Sequence, residues 1–197
     1  MKKHSINLPA VLPLILVLAL IFAACARPPT EEMNRAHDAV IRAENDADTV
    51  AFAGNTLVRA RDALVRMESE ADAKRYDAAK NFAAEAVSAA ERAVADGRAG
   101  ALRARDEATN LINSLQGPLA ETSSALNAAR QVSNINLDFD ALSEDLDSAR
   151  RGYDDARQSL AANDYRDAIN SGQNVRSLLA QINASINEAT QAAARKQ

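Results

Sequence analysis

The chain has 197 residues, with 23 Lys and Arg against 27 Asp and Glu, a formal net charge of −4, a single cysteine and no tryptophan. The acidic balance argues against nucleic acid and an anionic membrane surface as partners, because both reward clustered Lys and Arg. One cysteine excludes an intrachain disulfide, and two histidines beside it exclude a zinc site built on those ligands.

The N-terminus carries the clearest chemistry. Lys2 and Lys3 open the chain, no charged residue lies between Ser5 and Ala26, and Val11 to Phe22 is almost wholly aliphatic. A basic start, a short apolar core and small residues before a cleavage point make a secretory signal. This one ends Phe22-Ala23-Ala24-Cys25. An uncleaved anchor is a second reading of the same stretch, although Pro9 and Pro13 interrupt the ~20 residues needed to span a bilayer. Ordinary cleavage that leaves a free thiol is a third. The pattern resembles the lipobox of bacterial lipoproteins, with Phe22 where Leu is usual. That resemblance implies a signal peptide over 1–24 and acyl chains on Cys25, and two or more such chains hold a protein stably on a membrane. Ala26 stands where Asp would retain a lipoprotein on the inner membrane, so it leans towards the outer one. Residues 25–31, with Pro28 and Pro29, read as a short, stiff, lipidated tether. Loss of Lys2 and Lys3 leaves 21 basic residues against 27 acidic, a net charge of −6.

The rest is rich in alanine, the residue of highest helix propensity. Met33, Ala36, Val40, Ala43, Ala47 and Val50 form an opening apolar stripe, then Gly54 offers a break and Asn55 a cap. Beyond it lies a repeat at an offset of 89. Leu57, Ala60, Arg61, Tyr76 and Ala79 fall on Leu146, Ala149, Arg150, Tyr165 and Ala168. In the first copy a stripe runs Val50, Ala53, Leu57, Ala60, Leu64, Met67, Ala71, and in the second Phe139, Leu142, Leu146, Ala149, Tyr153, Ala156, Leu160. Alternating steps of three and four place each stripe on one side of a helix. Polar patches at Asp72 to Arg75 and Asn163 to Asp164 mark turns, with Asp and Asn available to cap the next helix. Tyr76 and Tyr165 come next, each expected to pack its ring across the hairpin with the hydroxyl at the wet end. Second stripes run Ala79, Ala83, Ala86, Ala90, Ala93 and Ala168, Gly172, Val175, Leu179, Ile182, Ile186, Ala189, Ala193.

In the first copy the spacing continues to Leu115, so one long helix is expected from Tyr76 to Gln116. At Gly97 and Gly100 either this helix breaks or a neighbour approaches closely. Gly117-Pro118 is expected to stop it, with a shorter helix over 119–131 and a loop over 132–138. The expected fold is all-α: about six helices, one of them long, as antiparallel hairpins in tandem with left-handed coiled-coil-like packing. The first hairpin with the long helix occupies 32–116 and the second 117–197. The alternative is an elongated coiled coil that forms only by self-association.

Three motifs carry a resemblance: A-x-x-A-V-x-x-A over Ala36 to Ala43, L-x-x-A-R-x-A-L over Leu57 to Leu64, and R-Y-D-A-A over Arg75 to Ala79. The segment from Asn34 to Val94, about a third of the chain, resembles the small helical domain of unknown function found in bacterial envelope lipoproteins, alone or ahead of an OmpA-like domain. The residues after it read as the second hairpin, so no OmpA-like domain is expected in this sequence. The resemblance implies no catalytic residues.

Residue chemistry agrees with a non-catalytic reading. His37 has no partner motif near it and reads as an exposed surface residue. Asp138, Asp140, Glu144, Asp145 and Asp147 lack the central Gly and spaced ligands of a calcium loop, and acids in a first helical turn favour the helix dipole. Phosphate-loop, nucleophile-elbow and dinucleotide motifs are absent. The expectation is therefore no enzyme, no cofactor and no metal site. The chain reads as a membrane-anchored helical scaffold or protein-binding module on the periplasmic side of the envelope, with another envelope protein as partner. The alternative is a spacer between outer membrane and cell wall, of the kind that ends in a wall-linked lysine; here Lys196 is followed by Gln197.

Overall fold

The computed structural model describes residues 27–195. The signal over 1–24, Cys25 and Ala26 lie outside the described residues, as do Lys196 and Gln197. The described chain is all-helical: α1 Thr30–Asn45, α2 Ala47–Phe52, α3 Gly54–Asp72, α4 Tyr76–Ala129, α5 Phe139–Ala161 and α6 Tyr165–Ala194. None of these helices is long and apolar enough to cross a membrane. The chain divides into two compact units at Gly97 and Arg98, inside α4.

The first unit packs α1, α2, α3 and the opening turns of α4. Glu31 and Glu32 sit in the first turn of α1, where the helix dipole favours negative charge. The core is mostly alanine: Ala36, Ala39, Ala43, Ala60, Ala63, Ala83, Ala86, Ala90 and Ala93, around Val40, Leu57 and Met67. The opening stripe holds through Ala43 and then fails. Asp46 leaves the helix (φ −84°, ψ 114°), and its carboxylate accepts from the Thr49 amide at 2.8 Å and the Thr49 hydroxyl at 2.7 Å. An Asp side chain that caps the next helix competes with helix continuation. The restart rotates the register, so Thr49 is fully buried and Val50, expected inside, is 56% exposed. Asn55 is likewise not a cap; α3 begins at Gly54 with Ala53 before it and no side-chain capping bond. Gly97 is a site of close approach, not a break. A Cβ there would lie 2.7 Å from Thr49 Cα and N and 2.9 Å from the Asp48 carbonyl carbon. Backbone cannot retreat from such a contact as a flexible side chain can, so only glycine fits.

The second unit packs α4 from Arg98 onward with α5 and α6. Its core is built of larger side chains: Leu111, Leu115, Leu126, Leu142, Leu146, Val175, Leu179, Ile182 and Ile186. Gly117-Pro118 does not end the helix; α4 runs on to Ala129. Proline removes one backbone donor and clashes with the preceding turn. The pre-proline residue also suffers through its Cβ, and Gly117 has none. Both residues face solvent while Leu115, Thr122, Leu126 and Ala129 keep the buried spacing on either side. The core contacts outweigh the local defect. The expected boundary between 116 and 117 therefore matches no helix end. Buried Thr122 accepts from Asn183 Nδ2 at 2.7 Å, which ties α4 to α6. At Gly172 a Cβ would lie 2.8 Å from Leu111 Cδ2, so this glycine makes room for the leucine. Asp138 caps α5 by accepting from the Ala141 amide at 3.0 Å.

The repeat is exact at the backbone of the two turns. Lys74 (φ 58°) and Asn163 (φ 67°), 89 positions apart, both adopt the left-handed conformation. In the first turn the Arg75 amide donates to the Glu70 carbonyl (2.9 Å) and the Lys74 amide to that of Ala71 (2.9 Å). In the second, Asp164 donates to Ser159 (2.9 Å) and Asn163 to Leu160 (3.2 Å). These are paired Schellman closures. Backbone, not side chains, closes the hairpins, and Asp164 makes no side-chain capping bond. The Tyr165 hydroxyl donates to Asn163 Oδ1 at 2.8 Å on the exposed turn. In the first turn Arg75 instead holds Glu70, with Nη2 to Oε1 at 3.0 Å. That hydrogen bond keeps the Glu70 carboxyl below, and the Arg75 guanidinium above, its ordinary pKa.

Candidate functional site

The residues singled out for chemistry serve the helices. His37 is partly exposed on α1, with Nε2 3.3 Å from Glu68 Oε1 on α3. Asp138 caps α5, Asp140 stands in its first turn and Asp147 pairs with Arg150 at 2.9 Å. Among the described residues no group of three or more His, Cys, Asp or Glu is placed to hold a metal ion. Cys25 lies outside the described residues.

Among the described residues, shallow, open grooves include one in each unit. One, of about 340 Å³ in the second unit, lies between the loop at Asn134, Asn136 and Leu137 and the end of α6 at Ser185 and Glu188. The other, of about 220 Å³ in the first unit, is lined by Thr56 and Arg59 on α3 and by Glu85, Ser88 and Arg92 on α4. Neither holds a buried polar group without a partner.

The most distinctive surface lies on the outer side of α3. Its buried residues, Leu57, Ala60, Ala63 and Met67, face the core. At 100° per residue, Val58, Arg61, Asp62 and Val65 fall within about 100° of arc on the opposite side. Val58 is 48% and Val65 63% exposed. One ion pair joins this helix to α1, Arg61 Nε to Glu44 Oε1 at 2.6 Å, and His37 of α1 lies beside Glu68. Ile41, 51% exposed, sits in sequence between His37 and Glu44, the two α1 residues that reach α3.

The second unit serves as an internal comparison. Val58 corresponds to Asp147, Asp62 to Arg151 and Val65 to Asp154. One copy is aliphatic where the other is charged, although both keep the same turn and the same buried stripe. Sequence reasoning tracks the buried stripe and passes over Val58 and Val65. The signal lies in a position-by-position comparison of the two copies outside that stripe.

No family model, curated protein or solved structure matches this chain, so a functional reading rests on its own residues and geometry.

Proposed function

We propose that this protein is a membrane-anchored envelope lipoprotein that acts as a non-catalytic helical scaffold. The observation that carries the scaffold reading is the aliphatic outer face of α3, Val58 and Val65, with Ile41 exposed on the neighbouring α1. Scattered surface aliphatics need no explanation, but a grouped set on one face marks an interaction surface. Here the related copy carries aspartates at two of these positions, so the fold itself does not demand aliphatic residues there. The anchor rests on the Phe22-Ala23-Ala24-Cys25 pattern after an uncharged apolar run. With Ala26 after the cysteine, the outer membrane is the favoured location.

The test is crosslinking in cells followed by affinity capture of the tagged chain and mass spectrometry, with Cys25→Ala as control. The expected result is a discrete protein partner, another copy or a different envelope protein, that is weakened when the chain is unanchored. Recovery of peptidoglycan fragments alone favours a spacer between membrane and wall and contradicts the scaffold reading.

A further inference from the structure

We infer that the outer face of α3 binds the same face of a second copy of this chain, in an antiparallel two-fold pairing. The inference rests on the scaffold reading and names its partner. Two-fold pairs are the commonest assemblies of identical chains, and they require a surface complementary to itself. The outer face of α3 meets that requirement residue by residue. Set two α3 helices antiparallel about a point between Arg61 and Asp62. Val58 then lies opposite Val65 of the other copy, and Val65 opposite Val58. Arg61 lies opposite Asp62, and Asp62 opposite Arg61. Aliphatic meets aliphatic at both ends, and opposite charges meet on both sides of the axis.

The charged groups are available for this. Arg61 gives Nε to Glu44, which leaves four of the five guanidinium N–H donors. Asp62 has no ion-pair partner among the described residues.

The second unit shows that this complementarity is not a general property of the fold. The same operation on α5 would set Asp147 against Asp154 and Arg150 against Arg151, so every opposed pair repels. One copy of the repeat therefore suits self-pairing and the other resists it, which limits assembly to a closed pair through the first unit. Two valines per copy are a small apolar contribution to the about 800 Å² per partner of a standard stable interface. The pair is accordingly reversible, and confinement of anchored chains to one membrane would favour it.

The experiment uses the full chain extracted from membranes in detergent. Sedimentation across a concentration series is expected to show a reversible dimer. The double substitution Val58→Asp and Val65→Asp, which copies Asp147 and Asp154, should raise the dissociation constant about tenfold or more, since it replaces two apolar contacts with two like-charge ones. Both positions are exposed, so helix content by circular dichroism should not change. Independently, Asp62→Cys should yield a crosslinked dimer with a short bis-maleimide, above the background of the unsubstituted chain. Its counterpart Arg151→Cys should not. A chain that is monomeric at every concentration, a dimer indifferent to the two aspartates, or equal crosslinking at 62 and 151 would overturn the inference. A monomer that still captures a different envelope protein in cells would overturn the self-pairing alone and leave the scaffold reading standing.

Discussion

Lys74 and Asn163 show how a local conformation can be shared while the residues that adopt it differ. Both occupy the left-handed position that closes a Schellman turn. Asn tolerates that region, whereas a lysine there costs about 1–2 kcal/mol. Lys74→Gly should therefore stabilise the protein by about 0.5–1 kcal/mol, after the greater chain entropy of glycine is subtracted. Asn163→Gly should give less. Chemical denaturation of the two variants against the parent checks both. The turns are readable in the sequence as polar patches, but their closure is not, because Schellman bonds join backbone groups and leave a weak trace in residue type. Glu70 adds a pH dependence at the first turn. Its carboxyl pKa is lowered by the hydrogen bond from Arg75, so its stabilising contribution is present above the unfolded value of about 4.3 and is lost as pH falls through the folded value. The thermal midpoint of Glu70→Gln should lie slightly below the parent at neutral pH, and the difference should vanish in acid. A difference that grew in acid would contradict the pairing.

At the scale of elements, the apolar stripes are legible in the sequence and the punctuation misleads. Every residue of the stripe Ala79, Ala83, Ala86, Ala90, Ala93 is buried, because a three-four spacing leaves a helix one face to bury. Asp46, which reads as an ordinary polar residue inside a stripe, breaks the helix. Gly117-Pro118, which reads as a stop, does not. The deciding quantity in each case is tertiary. A break at Asp46 sets Thr49 against Gly97, and continuity at Pro118 keeps Leu115 and Leu126 in one core. If Pro118 lies inside a continuous helix, Pro118→Ala restores a hydrogen bond and removes a clash. It should stabilise the chain by about 1–3 kcal/mol, within the ~3 kcal/mol that interior proline costs. A true loop at 117–118 would give no gain. The denaturation midpoint at unchanged slope distinguishes the two.

At the scale of the whole molecule, the two units share a plan and differ in what fills it. The first packs alanine closely and the second packs leucine and isoleucine. At about 25 cal/mol per Å² of buried apolar surface, the second gains more from burial per residue. Native-state hydrogen exchange should accordingly show higher opening free energies for core amides of α5 and α6 than for those of α1 and α3. Equal protection would mean that close helix approach compensates for the smaller side chains. The duplication is readable in sequence, because matched Leu, Tyr and Ala recur at one offset. The face that separates the copies is not, because it needs knowledge of which side of α3 is free. The proposed anchorage has the opposite character: it is an expectation from the sequence around Cys25, which lies outside the described residues. Intact-mass measurement of the protein purified from the membrane fraction tests it most directly. The proposal predicts a chain that begins at residue 25 and carries the mass of two or three acyl chains, with Cys25→Ala losing both the cleavage and the added mass. A full-length chain, or one cleaved near residue 25 without acyl mass, would contradict it.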